Sequence, residues 1–197
     1  MQEPSVKALF PTLLQTFNFE PPDGLIERCY DVQNKQKYTA RQRSNRLGFQ
    51  SNVIPFVELT PVRKYIDEHT ITGKLKHGRA WVNINPLGGY NVGHTHPNSD
   101  YTFVYYLTES TVPIVLSHPH QFEQFNHAVS VDEQYVKQYE LSSIHKIKPK
   151  RGDILMFPSY VPHHVESNTV SEDRISISWN SDVYSLRGPQ SWAEKVG

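Results

Sequence analysis

Two histidines one residue apart, His94 and His96, are the first pair in this sequence that could hold a metal ion. Side chains two positions apart point to the same side of a β-strand, whereas in an α-helix they lie about 200° apart. The surrounding glycines and Pro97 disfavour a helix. The spacing therefore predicts two imidazoles on one face of a strand or strand end, and imidazole is a common ligand of iron, copper, nickel and zinc. By itself an H-x-H motif is a weak signal.

A second histidine pair, His163 and His164, follows an apolar stretch and a proline-bearing corner in "GDILMFPSYVPHHV". A strand in this stretch could bring a third ligand to the first pair from far along the chain. Neighbouring residues of a strand face opposite ways, so only one of these two can join His94 and His96. Asp100 is an alternative ligand to His96 if the loop bends back, although the strand geometry favours His96.

Arg174 and Ser176, in "RISISWN", alternate with two isoleucines. At the two-residue period of a strand, the guanidinium and the hydroxyl share one face while the isoleucines occupy the other. A fixed guanidinium beside a hydroxyl is well suited to capture a carboxylate through two hydrogen bonds. This pair therefore predicts a carboxylate-binding position.

The elements that must position these side chains are predicted to be mainly β-strands, with a few helices. From residue 79 onward, apolar and polar residues alternate with the period of a strand. Short strands separated by Pro- and Gly-rich turns are typical of a sandwich, a jelly roll or a barrel. The strand-like stretches are residues 79–86, 101–107, 111–117, 143–149, 153–159 and 174–180.

Two helices are predicted ahead of these strands. Residues 22–35 have helical apolar spacing, with Asp23 as the candidate cap, and residues 60–75 alternate apolar and charged side chains at helical spacing. Residues 8–19 could form an additional strand. Residues 118–142 have the character of a decorated hairpin or lid inserted between two core strands.

Length, charge and cysteine content restrict the class of protein. The 197 residues fit one domain, and a homodimer is an ordinary expectation at this size. Twenty basic and twenty acidic side chains cancel, which gives no electrostatic argument for a nucleic-acid or membrane partner. A single cysteine, Cys29, excludes an internal disulfide framework and fits a reducing compartment. No stretch resembles a signal peptide or a membrane helix, so we expect a cytoplasmic protein.

The motifs together carry a resemblance to the iron(II)- and 2-oxoglutarate-dependent oxygenase superfamily, and within it to a family of small 2OG-Fe(II) oxygenases. The superfamily signature is H-x-D/E, a distant second histidine, and an Arg or Lys shortly beyond it, often in R-x-S. In this sequence the corresponding stretches are "HTH" at 94–96, His163 in "FPSYVPHHV" and "RIS" at 174–176. The similarity is most specific over residues 81–107 and 152–180.

The resemblance implies a double-stranded β-helix (a jelly roll of the cupin-like kind) that forms one domain over residues 1–197. Residues 1–78 would support the core with helices and strands. Residues 79–180 would form the jelly roll, with residues 118–142 as an insertion. The insertion and the basic stretch at residues 35–46 would then be walls of the substrate mouth.

The same resemblance implies the chemistry. Fe(II) would be held by His94, His96 and His163, which would form the catalytic centre. The cosubstrate 2-oxoglutarate would bind with its distal carboxylate on Arg174, assisted by Ser176. Hydroxylation of an unidentified small-molecule or peptidyl substrate would then release succinate and carbon dioxide.

His96 departs from the superfamily pattern, because it occupies the position where a carboxylate is usual. Three neutral imidazoles suit iron(II), but they would equally suit zinc, nickel or copper. Asp100 therefore stays open as the third ligand, and the native metal stays open as well.

Several polar and aromatic residues near the motifs have less certain roles. Asn83, Asn85, Tyr105 and Tyr106 could hydrogen-bond a keto acid if they lie on an inward face, and Asn83 and Tyr105 are our candidate contacts. Trp81 and Trp179 are most simply core aromatics. The remaining histidines near the insertion are expected at the surface: His118, His120, His127 and His145.

Two other classes of protein fit the same residues. One is a cupin-like metalloenzyme that uses three histidines without 2-oxoglutarate, and it would not need Arg174. The other is a non-catalytic jelly-roll binding module whose histidines are incidental. This module would bind no metal tightly, and its melting temperature would not respond to Fe(II) or to a chelator.

Overall fold

Two antiparallel β-sheets face each other in the computed structural model, which describes residues 5–40 and 43–184. The strands are β1 (Gln15–Asn18), β2 (Asn45–Arg46), β3 (Phe49–Gln50), β4 (Leu75–Asn85), β5 (Tyr90–His94), β6 (Tyr101–Tyr106), β7 (Ile114–Ser117), β8 (Ile144–Ile147), β9 (Asp153–Pro158), β10 (His163–Val165) and β11 (Arg174–Val183). The helices are α1 (Leu25–Gln36), α2 (Thr60–His69), α3 (Gln121–Val129) and α4 (Glu133–Gln138).

The larger sheet has six strands in the order β1-β9-β6-β11-β4-β3, and the smaller has five in the order β2-β5-β10-β7-β8. Neighbours in each sheet come from distant parts of the sequence, as in a jelly roll. The predicted mainly β class with a few helices is confirmed, and each of the six predicted strand stretches contains a strand. No described helix is long and apolar enough to span a membrane.

One face of the larger sheet is covered by α1 and α2. The two helices form because their apolar residues recur at helical spacing: Leu25, Cys29 and Val32 are buried on α1, and Val62 and Ile66 on α2. They pack in one apolar cluster with the strand residues that point the same way, among them Phe103, Tyr105, Ile175, Ile177 and Trp179. We call this side the helix-covered face.

The start of α1 differs from the prediction. The residue that precedes the helix is Gly24, in the left-handed region at φ 77°, and no side chain caps the helix there. Asp23 is therefore not the cap. Glycine adopts this conformation without the steric cost that a Cβ would add, so the backbone turns into the helix at Gly24 instead.

The opposite face of the larger sheet, which we call the inner face, looks toward the smaller sheet. Apolar residues of both sheets fill part of the space between them, including Val104, Leu116, Phe157 and Val165. The rest of this face carries polar side chains, which are described with the site below.

Residues 118–142 connect β7 to β8, which pair with each other, and they form two helices instead of the predicted hairpin. The segment itself folds into α3 and α4, and neither helix has a buried residue. Asp132 caps α4 by accepting a hydrogen bond from the Gln134 backbone N–H at 2.9 Å. The insertion is thus largely helical and exposed.

Candidate metal centre

His94 and His163 meet because they are paired across two strands of the smaller sheet. His94 is the last residue of β5 and His163 is the first residue of β10, and their Cα atoms are register partners. Directly paired residues of antiparallel strands put their side chains on the same face, so both imidazoles point the same way. Their ring centroids are 4.3 Å apart.

His96 lies beyond the end of β5, in the loop that leads to β6. Its backbone N–H donates to the Ser159 carbonyl at 2.9 Å, and the Ser99 hydroxyl donates to the Ser159 hydroxyl at 3.0 Å. These bonds fix the loop against the end of β9. The His96 ring stacks on Trp81 at a centroid distance of 5.4 Å and lies 5.1 Å from the nearly parallel ring of His163.

Backbone carbonyls set the tautomer of two of the three histidines. His94 Nδ1 donates to the Val92 carbonyl at 2.8 Å, and His163 Nδ1 donates to the Val161 carbonyl at 3.0 Å. A carbonyl only accepts, so the proton of each neutral ring is on Nδ1. The Nε2 lone pairs are then available to a metal ion, and the carbonyls hold the rings in the arrangement usual for histidine ligands.

The spacing of the three imidazoles fits one metal ion. One ring nitrogen from each of His94, His96 and His163 lies within 4.8 Å of the others, and the Nε2 atoms of His96 and His163 are 3.3 Å apart. Two nitrogens bound to one ion at about 2.1 Å each are about 3.0–3.4 Å apart. No carboxylate among the described residues joins this group. The donor set is therefore three imidazoles.

Burial keeps these imidazoles neutral. It lowers the pKa of His96 to about 4, with smaller contributions from the charges of His94 and Arg43. It lowers the pKa of His163 to about 3 and also depresses the pKa of His94. Neutral imidazole is the form that binds a metal, so the ligands need lose no proton near neutral pH.

The alternative ligands lie elsewhere. Asp100 Oδ2 accepts a hydrogen bond from the Val183 backbone N–H at 2.8 Å, which directs this carboxylate to the end of β11. His164 lies on the opposite side of β10 from its neighbour and lines a separate surface groove with Tyr90. The other histidines near the insertion are exposed or half-buried and do not belong to the group: His118, His120, His127 and His145.

Arg174 is fully enclosed on the inner face. Its Nε donates to the Ser110 hydroxyl at 3.0 Å, and its guanidinium carbon lies 5.0 Å from the ring centroid of Tyr106. Burial lowers its pKa from the usual value, and the neighbouring Tyr106 opposes that shift. Its Nη2 is buried and has no hydrogen-bond partner among the described residues.

Two more polar atoms without partners lie on the strands beside Arg174. Ser176 is the register partner of Asn83 on β4 and of Tyr106 on β6, so the three side chains share the inner face. The Asn83 Oδ1 and the Tyr106 hydroxyl are buried without a hydrogen-bond partner in the described part of the chain. Buried polar groups are normally satisfied, so this grouping indicates the position of a polar ligand. Arg174 Nη2 and the Tyr106 hydroxyl are donors that suit a carboxylate, whereas Asn83 Oδ1 can only accept a hydrogen bond.

Tyr105 does not lie with these residues. Its side chain is in the apolar cluster of the helix-covered face, and its hydroxyl donates to the Phe19 carbonyl at 2.9 Å. The predicted contact between Tyr105 and the cosubstrate is therefore not supported by its position, because strand alternation sends it to the other side of the sheet. Tyr106 is the tyrosine that faces Arg174.

Asn85 and the two tryptophans also have definite positions. The Asn85 side chain is bonded on both sides, since its oxygen accepts from Asn45 Nδ2 and its nitrogen donates to Asn91 Oδ1. Trp179 is a core residue as predicted. Trp81 is not, because it is half-buried against His96 at the edge of a cleft.

Sequence reasoning missed Trp81, Ser110 and Ser159 as parts of the site, and it chose Tyr105 over Tyr106 as the candidate contact. A period-two pattern places Tyr105 and Tyr106 on opposite faces, but only the register of β6 against β11 tells which of them meets Arg174. Ser110 and Ser159 lie outside regular strands, so no periodicity in the sequence points to them.

A cleft of about 1100 Å³ opens beside the three histidines and includes His94 and His96 in its lining. The other lining residues come from the region between α1 and α2, from β4, from β5 with the loop that follows it, and from β11. Thr39 and Arg43 of the predicted basic wall are among them. No described residue of 118–142 lines this cleft, so the predicted wall from the insertion is wrong here.

Comparison with protein families gives one match, to a family described as "Putative 2OG-Fe(II) oxygenase", over residues 79–180. This range contains the three histidines, Arg174 and Ser176. A comparison with curated proteins finds no match.

Solved structures with the same architecture include three at low sequence identity. HygX from Streptomyces hygroscopicus with nickel and 2-oxoglutarate bound has a TM-score of 0.53 at 7% identity, covering 88% of this chain and 83% of that one. The non-heme alpha ketoglutarate dependent carbocyclase SnoK from nogalamycin biosynthesis has a TM-score of 0.55 at 11% identity, covering 87% and 80%. A Pseudomonas putida prolyl-4-hydroxylase has a TM-score of 0.53 at 12% identity, covering 87% and 93%. At these identities the likeness establishes the shared fold.

Proposed function

Because the chain belongs to the family of 2OG-Fe(II) oxygenases, we propose that it hydroxylates its substrate at a centre formed by His94, His96 and His163. The predicted relation to this superfamily and the predicted double-stranded β-helix are confirmed. The protein is thus an enzyme that depends on Fe(II) and 2-oxoglutarate. The assignment of roles to individual residues is our proposal.

The observation that carries the proposal is the pairing of two features on the inner side of the sheets. One is a group of three neutral imidazoles at metal-binding spacing. The other is a buried guanidinium surrounded by polar atoms without partners. Ser178 pairs with Trp81, which stacks on His96, and Arg174 lies four residues before Ser178 on β11, about 13 Å of strand. The imidazoles and the guanidinium thus lie on the same side of the larger sheet, where one dicarboxylic acid would contact both.

Fe(II) with 2-oxoglutarate and dioxygen would supply the oxidising chemistry: one oxygen atom of dioxygen enters succinate as the keto acid loses carbon dioxide, and the other enters the hydroxylated C–H bond of the substrate. The protein's part is placement. His94, His96 and His163 would hold the iron through neutral nitrogens, and the carbonyls of Val92 and Val161 keep two of these rings oriented.

Arg174 would hold the distal carboxylate of 2-oxoglutarate. Its Nη2, which has no hydrogen-bond partner among the described residues, would donate to one carboxylate oxygen, and the hydroxyls of Ser176 and Tyr106 would donate as well. Asn83 lies beside them, and its amide nitrogen can donate to the same ligand. The apolar residues of both sheets around this position exclude water, which strengthens each of these charge-assisted bonds.

Anaerobic titration of the Fe(II) protein with 2-oxoglutarate tests the proposal. Chelation of iron by the keto acid gives a weak visible charge-transfer band near about 500 nm. We expect this band in the wild-type protein, together with succinate formation after oxygen is added. A protein that binds one iron per chain and gives no band would contradict the proposed use of 2-oxoglutarate at this centre.

The proposal also includes the cellular location of the protein and the kind of substrate that it binds. We propose a cytoplasmic protein, supported by its single cysteine, Cys29, whose thiol is fully buried and has its pKa raised to about 12 by burial. The zero net charge supports a small-molecule or peptidyl substrate rather than a nucleic acid. A homodimer stays a prediction.

We also propose a single domain over residues 1–197, with the jelly-roll core at 79–180. The support is that the three strands before β4 are part of the two sheets of the core. β1 pairs with β9 and β3 with β4 in the larger sheet, and β2 pairs with β5 in the smaller sheet. Residues 1–4, 41–42 and 185–197 lie outside the described residues. The exposed helices α3 and α4 support the proposal that 118–142 is an insertion.

A further inference from the structure

The cleft beside the three histidines carries two arginines, Arg43 and Arg79. We propose that the substrate presents an anionic group, a carboxylate or a phosphate, to this arginine pair. The inference rests on the proposed function, since it names the class of molecule that the hydroxylation centre would receive.

The described lining of the cleft carries no negative charge. Apart from the histidines and the arginine pair, the described residues that line it are uncharged, and none is acidic. Arg43 and Arg79 form no ion pair with any described residue. Other basic side chains of the protein do: Arg28 pairs with Glu58, Lys146 with Glu166, and Arg151 with Glu20. Arg43 and Arg79 thus bring two guanidinium groups without an acidic partner to the cleft that His94 and His96 also line.

The backbone places both arginines at the cleft. Arg79 lies on β4 two residues before Trp81, so both side chains leave the strand on the same side. Arg43 lies on the segment before β2, where its backbone N–H donates to Gln50 Oε1 at 2.8 Å and its carbonyl accepts from Arg46 Nη1 at 2.9 Å. These bonds fix the backbone of Arg43 at the cleft.

The electrostatic potential in the metal-loaded cleft would be positive. Three imidazoles bring no negative charge to a divalent cation, so the metal centre and the arginine pair are positive together. A concave site with one sign of charge focuses the potential and attracts ligands of the opposite sign. A cationic substrate would be repelled there.

The other residues that line the cleft suit the uncharged part of an anionic substrate. Trp81 offers a flat apolar surface against which a substrate could lie. Gln50, Asn98 and Asn180 offer amide groups that can donate to oxygen atoms. Planar guanidinium groups bind carboxylate and phosphate alike, so the geometry defines the charge of the group and leaves these two chemistries to be separated by experiment.

Three probes of similar shape test the proposal: benzoate, phenyl phosphate and the neutral benzamide. Their binding is measured by ligand-observed NMR to the full chain loaded with Ni(II) and saturating 2-oxoglutarate, at low ionic strength. We expect at least one anion to bind about tenfold or more tightly than benzamide and to weaken with added salt. Preference for benzoate indicates a carboxylate substrate, and preference for phenyl phosphate a phosphate.

The double variant R43Q/R79Q should reduce the affinity for the preferred anion at least about tenfold, and the affinity for benzamide little. The control is K64Q/K150Q, which removes the same net charge from exposed residues outside the cleft. Melting temperatures check that both variants are folded. The proposal is overturned if benzamide binds as well as both anions, if R43Q/R79Q keeps the anion, or if the control loses it equally.

Repeating the measurement on metal-free protein separates this proposal from the proposed function. A wild-type protein that fails to bind 2-oxoglutarate with the metal contradicts the proposed function, but leaves anion binding by the cleft measurable. In the metal-free protein the probe could also reach Arg174. Loss of anion binding in R174Q with retention in R43Q/R79Q would therefore overturn the inference.

Discussion

The two faces of the larger sheet differ in the hydrogen bonding of their buried tyrosines. On the helix-covered face, Tyr105 is buried in an apolar cluster and its hydroxyl donates to a carbonyl. On the inner face, its neighbour Tyr106 is equally buried, yet its hydroxyl has no partner among the described residues and lies beside a buried guanidinium. Burial is the same in the two cases, so burial alone does not mark the site. The grouping of several partnerless polar atoms around one buried cation does.

The two faces also differ in the surroundings of their arginines, Arg63 and Arg174. Arg63 lies over the ring of Trp179 on the helix-covered side, 5.5 Å from its centroid, and donates to the Gly78 carbonyl at 2.8 Å. Arg174 lies over the ring of Tyr106 on the inner face. Each arginine has one buried N–H without a partner among the described residues, Nε of Arg63 and Nη2 of Arg174, but only Arg174 lies beside a second such group, the Tyr106 hydroxyl. One face is therefore built for stability and the other for binding, and substitutions at matched positions should separate these roles.

The largest effect is expected from His163→Ala. Loss of one of three imidazoles should weaken the binding of Fe(II) or Ni(II) at least about 100-fold. Removal of a group that only hydrogen-bonds to a metal ligand already lowers metal affinity about 10–100-fold. His164→Ala is the matched control, because the neighbouring ring faces away from the centre. Anaerobic calorimetric titration measures both. Equal affinity of the two variants would remove His163 from the proposed ligands.

The pH dependence of the metal-free protein should be the next largest effect. The pKa values of His96 and His163 are lowered to about 4 and about 3 in the folded chain, so below pH 6.5 the unfolded chain binds more protons. Stability is then full above pH 6.5 and falls as the pH decreases. The loss is about 2 kcal/mol for each of the two histidines at pH 5.

Urea unfolding in the presence of a chelator measures this slope. The double variant H96Q/H163Q should be distinctly less sensitive between pH 7 and 5. Burial also lowers the pKa of His77 on the helix-covered side, so its contribution persists in both proteins. An unchanged slope in the variant would show that these imidazoles are not held neutral by the fold.

Arg174→Gln should weaken 2-oxoglutarate binding to the metal-loaded protein about 10–100-fold, because hydrogen bonds to charged groups contribute about 1.5–3 kcal/mol. Metal affinity should change little. Arg63→Gln is the control on the helix-covered side, and it should leave 2-oxoglutarate affinity unaltered. Titration followed by the visible charge-transfer band distinguishes the two. A wild-type affinity in Arg174→Gln would contradict the carboxylate-binding role.

The smallest effects are expected from the two tyrosines. Tyr105→Phe should lower the free energy of unfolding by about 1 kcal/mol, since it removes a satisfied hydrogen bond, and leave 2-oxoglutarate affinity unchanged. Tyr106→Phe should leave the stability of the ligand-free protein unchanged or raise it, because it removes a buried hydroxyl without a partner, and should weaken 2-oxoglutarate binding. The opposite pattern would reverse our assignment of the two faces.

Much of the site was predictable because it depends on local patterns. The period-two alternation around Arg174 and Ser176 correctly predicts that they share a face, and the apolar spacing of α1 and α2 correctly predicts their buried sides. The cap of α1 was not predictable in the same way, since Gly24 rather than Asp23 precedes the helix. The choice there depends on backbone conformation rather than on side-chain type.

The sequence by itself determined most of the longer strands, the zero net charge and the set of histidines from which ligands could be drawn. Tertiary structure alone decided that His94 and His163 are partners across β5 and β10, that Asp100 bonds to Val183 instead of the centre, and that Tyr106 faces Arg174. The physical reason is that side-chain direction along one strand repeats locally, whereas the register between strands depends on turns and on packing across the whole core.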